Sequence, residues 1–275
     1  MKLLNLATVG LLSATILTGG ITAFAEEARE VQTEGQVTFT PNTDEDTVVI
    51  PPETGPDAPD VEIDPEVPGT TGPLTIAKAA TMNFGSQVIS NQDQTYNMVA
   101  EMQKLANPVA DGPTHVPYVS FAQVQDTRGT NVGWDLKVSL DNFTADSHNG
   151  VLTGAEVSLL DPRIQYEGNT ATNAPTAHTS GLKLIPGAGA VSVMTAEDKQ
   201  GAGSSSVVWG NQADLNTQLA DDKVEVVENG AIQLFVPGST AKDAATYTST
   251  LSWELSDTPG EDGEDGEDGE DSDDA

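Results

Sequence analysis

The residues with the best claim to chemistry are the three histidines, and each stands alone. His115, His148 and His178 lie in Pro-, Asn-, Ser- or Thr-rich stretches that read as solvated loop. None has the spacing of a helical metal pair such as H-E-x-x-H. The chain has no cysteine, which excludes disulfides, thiolate metal sites, a cysteine nucleophile and a lipidated cysteine. Gly201-Ala202-Gly203-Ser204-Ser205-Ser206 lacks the G-x-S-x-G elbow of a serine hydrolase, and Gly187-Ala188-Gly189 falls short of G-x-G-x-x-G. A carboxylate pair for glycoside hydrolysis needs only proximity in space, which a sequence does not display. No catalytic motif is present, so the chain reads as a non-enzyme without metal or cofactor.

The aromatic residues carry more information. In Val132-Gly133-Trp134-Asp135-Leu136-Lys137-Val138-Ser139-Leu140 the apolar side chains fall at every second position, and near the end Tyr247, Leu251, Trp253 and Leu255 share one face. Strand side chains alternate with period two, so Trp and Leu of a W-x-L triplet share a face and the middle residue takes the other. That residue is acidic in both copies, Asp135 and Glu254. Trp134 and Trp253 can be read as sugar-stacking platforms or as core; each is in line with other large apolar side chains, which favours core. Trp209, in Ser206-Val207-Val208-Trp209-Gly210-Asn211, reads as the edge of a loop and as a candidate exposed contact.

The elements that position these residues are short alternating runs bounded by Gly, Pro, Asn and Asp. They are clearest at 132–140, 155–159, 224–227, 232–236 and 247–255. Tyr96, Met98, Ala100 and Met102 alternate as a strand does, and Asp214 to Ala220 suits a short helix. The expectation is an all-β, antiparallel β-sandwich or barrel-like domain.

The ends differ from the middle. Met1 and Lys2 precede an apolar stretch that reaches Ala23-Phe24-Ala25, which reads as a secretory signal peptide over 1–25. No later run is long and apolar enough to span a bilayer, so no membrane insertion is expected after processing. Residues 26–69 hold 13 acids against Arg29, and eight prolines fall between Pro41 and Pro73; this composition reads as a disordered, self-repelling linker. Within it Pro51-Pro52-Glu53-Thr54-Gly55 resembles a sortase signal, but Pro51 replaces leucine and no hydrophobic stretch follows. Residues 259–275 form an acidic tail with four Gly-Glu-Asp triplets, too few and too charged for a triple helix. The net charge of −32 excludes nucleic acid as a natural partner, since phosphate neutralisation needs Lys and Arg.

Together the two W-x-L strands resemble the WxL family of Gram-positive cell-surface proteins. Agreeing phrases are Leu74-Thr75-Ile76, Asn83-Phe84-Gly85-Ser86, Asp93-Gln94-Thr95-Tyr96, Phe143-Thr144 and Leu152-Thr153-Gly154-Ala155. The resemblance covers about residues 70–258 and implies a secreted, extracellular protein held noncovalently at the cell wall, with peptidoglycan or another wall glycan as partner. A companion envelope protein is the alternative receptor. Trp134, Asp135, Leu136, Trp253, Glu254 and Leu255 are the motif residues the resemblance singles out, for binding or for building the domain.

Overall fold

The computed structural model describes residues 34–42 and 48–257. The expected leader and acidic tail lie outside the described residues. Residues 34–39 carry neither helix nor strand and belong to a unit apart from the one that begins at Thr40.

In chain order the strands of the folded unit are β1 (Val61–Glu62), β2 (Leu74–Lys78), β3 (Gln94–Val99), β4 (Glu101–Leu105) and β5 (His115–Tyr118). They continue with β6 (Ser120–Asp126), β7 (Trp134–Leu140), β8 (Glu156–Leu159), β9 (Arg163–Tyr166) and β10 (Thr176–Ala177). The last are β11 (Leu182–Leu184), β12 (Val191–Ala196), β13 (Gly203–Trp209), β14 (Glu228–Val236) and β15 (Leu251–Ser256). They pair antiparallel into four small sheets with orders β1-β4-β5, β2-β6-β13-β9, β11-β8-β14-β3 and β10-β12-β7-β15. The all-β antiparallel class expected from the sequence holds.

The second of these sheets is buried on both faces. Ile76, Ala122, Val124 and Val207 join the main core with Trp134, Leu136, Val157 and Ile232. Ala77, Phe121 and Val208 join a second cluster with Val49, Val61, Ala100 and Leu215. Burial on both sides explains why β6 shows no clean alternation in the sequence.

That second cluster takes in part of the segment expected as linker, because stretches within residues 48–62 lie against the strands. The side-chain amide of Gln123 acts as a surrogate strand: its Oε1 accepts from Ile50 N–H at 3.0 Å and its Nε2 donates to the Ile50 carbonyl at 2.7 Å. Gln125 Nε2 donates to the Val48 carbonyl at 2.6 Å. Further along, Glu53 N–H donates to Tyr118 Oη at 3.0 Å, and the Glu53 carboxylate pairs with Arg163. β1 then pairs with β4, Val61 opposite Leu105. Proline denies this segment regular ladder bonds, and side chains of the sheet supply the partners instead.

Other expectations need local correction. The alternation at Tyr96–Met102 breaks at Ala100 into β3 and β4, which belong to different sheets, and Met102 is left exposed. Val224–Val227, expected as a strand, is loop. There the helix α1 (Gln212–Leu219) intervenes: Gln218 exchanges two 2.9 Å bonds with the Glu228 backbone, and the Val227 carbonyl accepts from Ala100 N–H. The helix matches its expected place and is capped by Asn211, whose Oδ1 accepts from Ala213 N–H at 2.9 Å. In the final run only Leu251–Ser256 is strand.

A chain beginning at residue 70 loses buried Val49 and Val61. At roughly 1.5–3 kcal/mol per buried aliphatic side chain, urea unfolding should place it about 3–6 kcal/mol below a chain beginning at residue 40. Equal midpoints would return 48–69 to the status of a spacer.

Candidate functional site

The two W-x-L strands are neighbours. β7 and β15 pair with Leu140 opposite Leu251, Val138 opposite Trp253 and Leu136 opposite Leu255, so both motifs turn their apolar side chains into one core. Trp134 and Leu136 are fully buried, whereas Trp253 and Leu255 are half-buried because β15 ends its sheet. Trp134 Nε1 donates to the Gly201 carbonyl at 3.1 Å. A Cβ at Gly201 would stand 2.5 Å from that same nitrogen, so glycine is what lets the indole fit.

The reverse face holds the acidic middle residues. Glu254 is exposed opposite Lys137. Asp135 also faces away from the tryptophans, yet is 1% exposed. Its Oδ1 accepts from Ser192 and from Thr195 Oγ1, the latter at 2.9 Å, and Lys137 Nζ lies 3.3 Å from Oδ2. Two β12 residues three apart reach one carboxylate because the register shifts between Ser192 and Met194.

Trp209 is not an exposed contact. It ends β13, which pairs with β6 on one side and β9 on the other, and the side chain is fully buried. Its Nε1 donates to His178 Nε2 at 2.9 Å and the rings stack with centroids 6.0 Å apart. Indole N–H only donates, so His178 is neutral, with its proton on Nδ1 bonded to the Thr179 carbonyl at 2.7 Å. Burial holds its pKa below the usual imidazole value. His115 lies in β5, exposed, and His148 in an exposed turn. Among the described residues, no group of three or more His, Asp or Glu gathers to hold a metal, and no helix is long and apolar enough to cross a membrane.

A feature with room for a ligand lies elsewhere among the described residues, a cleft of about 710 Å³ between residues 82–89 and 242–249. Its floor spans two sheets, with Tyr96, Val157, Leu234 and Val236 from one and Leu140 and Leu251 from the other. Phe84 and Phe143 meet edge to face with centroids 6.5 Å apart. One lip is tied down by Lys242, whose Nζ donates to the carbonyls of Ser90, Pro237 and Thr240 at 2.8–3.1 Å. Asp243 accepts from the backbone and side-chain N–H of Asn149, both at 2.7 Å, which lowers its pKa. Tyr247 Oη donates to the Asn149 carbonyl at 2.7 Å and accepts from Asp243 N–H. None of the three tryptophans lines the cleft. The phrases at 83–86, 96, 143 and 152 converge on it, although alternation alone gave no sign that they would meet.

Two outcomes test this layout. Trp134→Ala should cost about 3–5 kcal/mol in urea unfolding, with Trp253→Ala costing less because its indole is half exposed. For His178, the unfolded chain takes up a proton near pH 6.5 while the folded chain resists it. Its contribution therefore fades as pH falls below about 6.5. The drop in Tm between pH 7.5 and pH 5 should be smaller in His178→Gln than in the parent; an equal drop would exclude His178 as its source.

A family model described as WxL domain, surface cell wall-binding, matches residues 26–259 and so takes in residues 48–69 as well as both W-x-L strands. No curated protein and no solved structure matches the chain. With the paired motifs in one core and the match spanning nearly all of the sequence, the chain belongs to the WxL family of surface cell wall-binding domains.

Proposed function

We propose that this protein is exported by its leader and attaches noncovalently to the Gram-positive wall through peptidoglycan, with the cleft between 82–89 and 242–249 as the contact. The carrying observation is that four of the five phrases that carry the resemblance outside the W-x-L strands reach this one cleft, through Asn83-Phe84-Gly85-Ser86, Tyr96, Phe143 and Leu152, while Leu74-Thr75-Ile76 lies elsewhere. The W-x-L strands reach the cleft only through Leu140 and Leu251, and their tryptophans lie outside its lining. Trp134 begins β7 and Leu140, at the cleft, ends it, a separation of roughly 20 Å at about 3.3 Å per residue. The site has no arrangement for covalent chemistry, so we read the protein as a binding module and not an enzyme. Lys242 and Asp243, the ionisable side chains of the cleft apart from tyrosine, are both committed to partners within the fold. Attachment then rests on short-range contacts that salt screens weakly.

A companion envelope protein is the second reading, supported by β15. It stands at the end of its sheet with Trp253 half-buried, and an edge strand can accept an added strand.

Co-sedimentation of the chain from residue 26 with protease-treated peptidoglycan across a salt series separates the two. Pelleting that persists at about 1 M salt, where the Debye length is about 3 Å, is the expected result. A protein that stays in the supernatant yet binds untreated envelopes has a protein receptor.

A further inference from the structure

We infer that Asn149 is a deamidation site and that its conversion to aspartate or isoaspartate releases the segment around Asp243 and Tyr247 that Asn149 holds. Asparagine is among the chemically labile side chains, and a following glycine leaves it most open to attack, because no side chain shields the next backbone nitrogen from the amide carbon. The chain contains two such pairs, Asn149-Gly150 and Asn229-Gly230.

The fold protects one pair and leaves the other open. Asn229 lies in β14 and is 2% exposed. Its Nδ2 donates to Ser120 Oγ at 3.3 Å and to the Trp209 carbonyl at 3.0 Å, and its Oδ1 accepts from Ala231 N–H at 3.1 Å, so its amide reacts only when the strand opens. Asn149 instead lies in a half-buried turn. Gly150 N–H, the attacking group, makes no hydrogen bond among the described residues. Nor can the turn exchange this glycine for a slower neighbour. A Cβ there would stand 2.7 Å from the Ala145 carbonyl oxygen and 3.1 Å from that of Ser147.

The reaction needs water alone. Gly150 N bonds to Asn149 Cγ and gives up its proton, the Cγ–Nδ2 bond breaks, and ammonia leaves. Water then opens the cyclic imide at either carbonyl, giving aspartate or isoaspartate. The change falls on a clamp: Asn149 N–H and Nδ2 donate to the two Asp243 oxygens, both at 2.7 Å, and the Asn149 carbonyl accepts from Tyr247 Oη at 2.7 Å. In the aspartate product an anionic oxygen replaces Nδ2 and meets Asp243 at a distance where like charges repel. In the isoaspartate product the main chain is rerouted through Cγ, which displaces the carbonyl that Tyr247 binds. Until then the clamp restrains the amide that must react, so Asp243 slows the step. The release is independent of what the cleft binds.

The experiment holds the chain from residue 26 at mildly alkaline pH and follows amide-to-acid conversion by peptide mass mapping. Asn149 should convert at least tenfold faster than Asn229, and Asp243→Ala should raise the Asn149 rate at least threefold. Conversion of Asn149 no faster than that of Asn229 overturns the site, and an equal rate in Asp243→Ala overturns the restraint. Asn149→Asp carries the product from the start. Amide hydrogen exchange at residues 243–247 should quicken at least tenfold in this variant while exchange in β7 and β14 stays as in the parent; parental exchange at 243–247 overturns the release.

Discussion

The burial of Trp134 is the constraint on which the rest of this domain depends. Its indole fills the main core, and its N–H must find an acceptor there because an unpaired buried donor is costly; the Gly201 carbonyl provides it. This requires the 197–203 turn to come close, which only glycine permits. It also places β7 between β12 and β15, so the chain's last strand docks beside one from its middle. The W-x-L repetition thus has a structural cause: two strands that face one core side by side must present large apolar side chains at matched spacing.

Satisfying one face creates a demand on the other. Asp135, driven inside by the same strand, needs donors, and the β12 bulge brings Ser192 and Thr195 to it. The β2-β6-β13-β9 sheet meets a similar demand. Lys78 and Glu101 form a buried ion pair at 2.8 Å, with Lys78 Nζ 4.4 Å from the centre of the Phe121 ring. Burial raises the Glu101 pKa and the neighbouring lysine opposes that rise. Such a pair contributes little net stability, but it ties β2 to β4 and so links their two sheets.

This division of labour leaves the cleft as the place where the fold is least self-sufficient. Its floor is drawn from strands of two sheets, and its lips are irregular backbone held at a few points by Lys242, Asp243 and Tyr247. A rigid scaffold carrying polar loops is the common arrangement for recognition. The cleft matches that arrangement, whereas the tryptophans, buried for the sake of the fold, do not.

The resemblance carried by the two W-x-L strands pointed to the family, and period-two alternation marked the runs 132–140, 155–159 and 247–255, within which the strands 134–140, 156–159 and 251–256 fall, together with the shared face of Trp134 and Leu136 and the all-β class. Those are local properties, because a side chain's direction along a strand depends only on its neighbours. What covers the reverse face is not local, and there the sequence was silent or misleading. Trp209 read as a loop edge among small polar residues, and packing in the main core and against His178 buried it. The proline-rich stretch from 48 read as spacer, until Gln123 and Gln125, more than 70 residues away, were brought against its backbone. Only tertiary structure decided these points and assembled the cleft, because each depends on contacts between segments far apart in the chain, which composition and spacing do not encode.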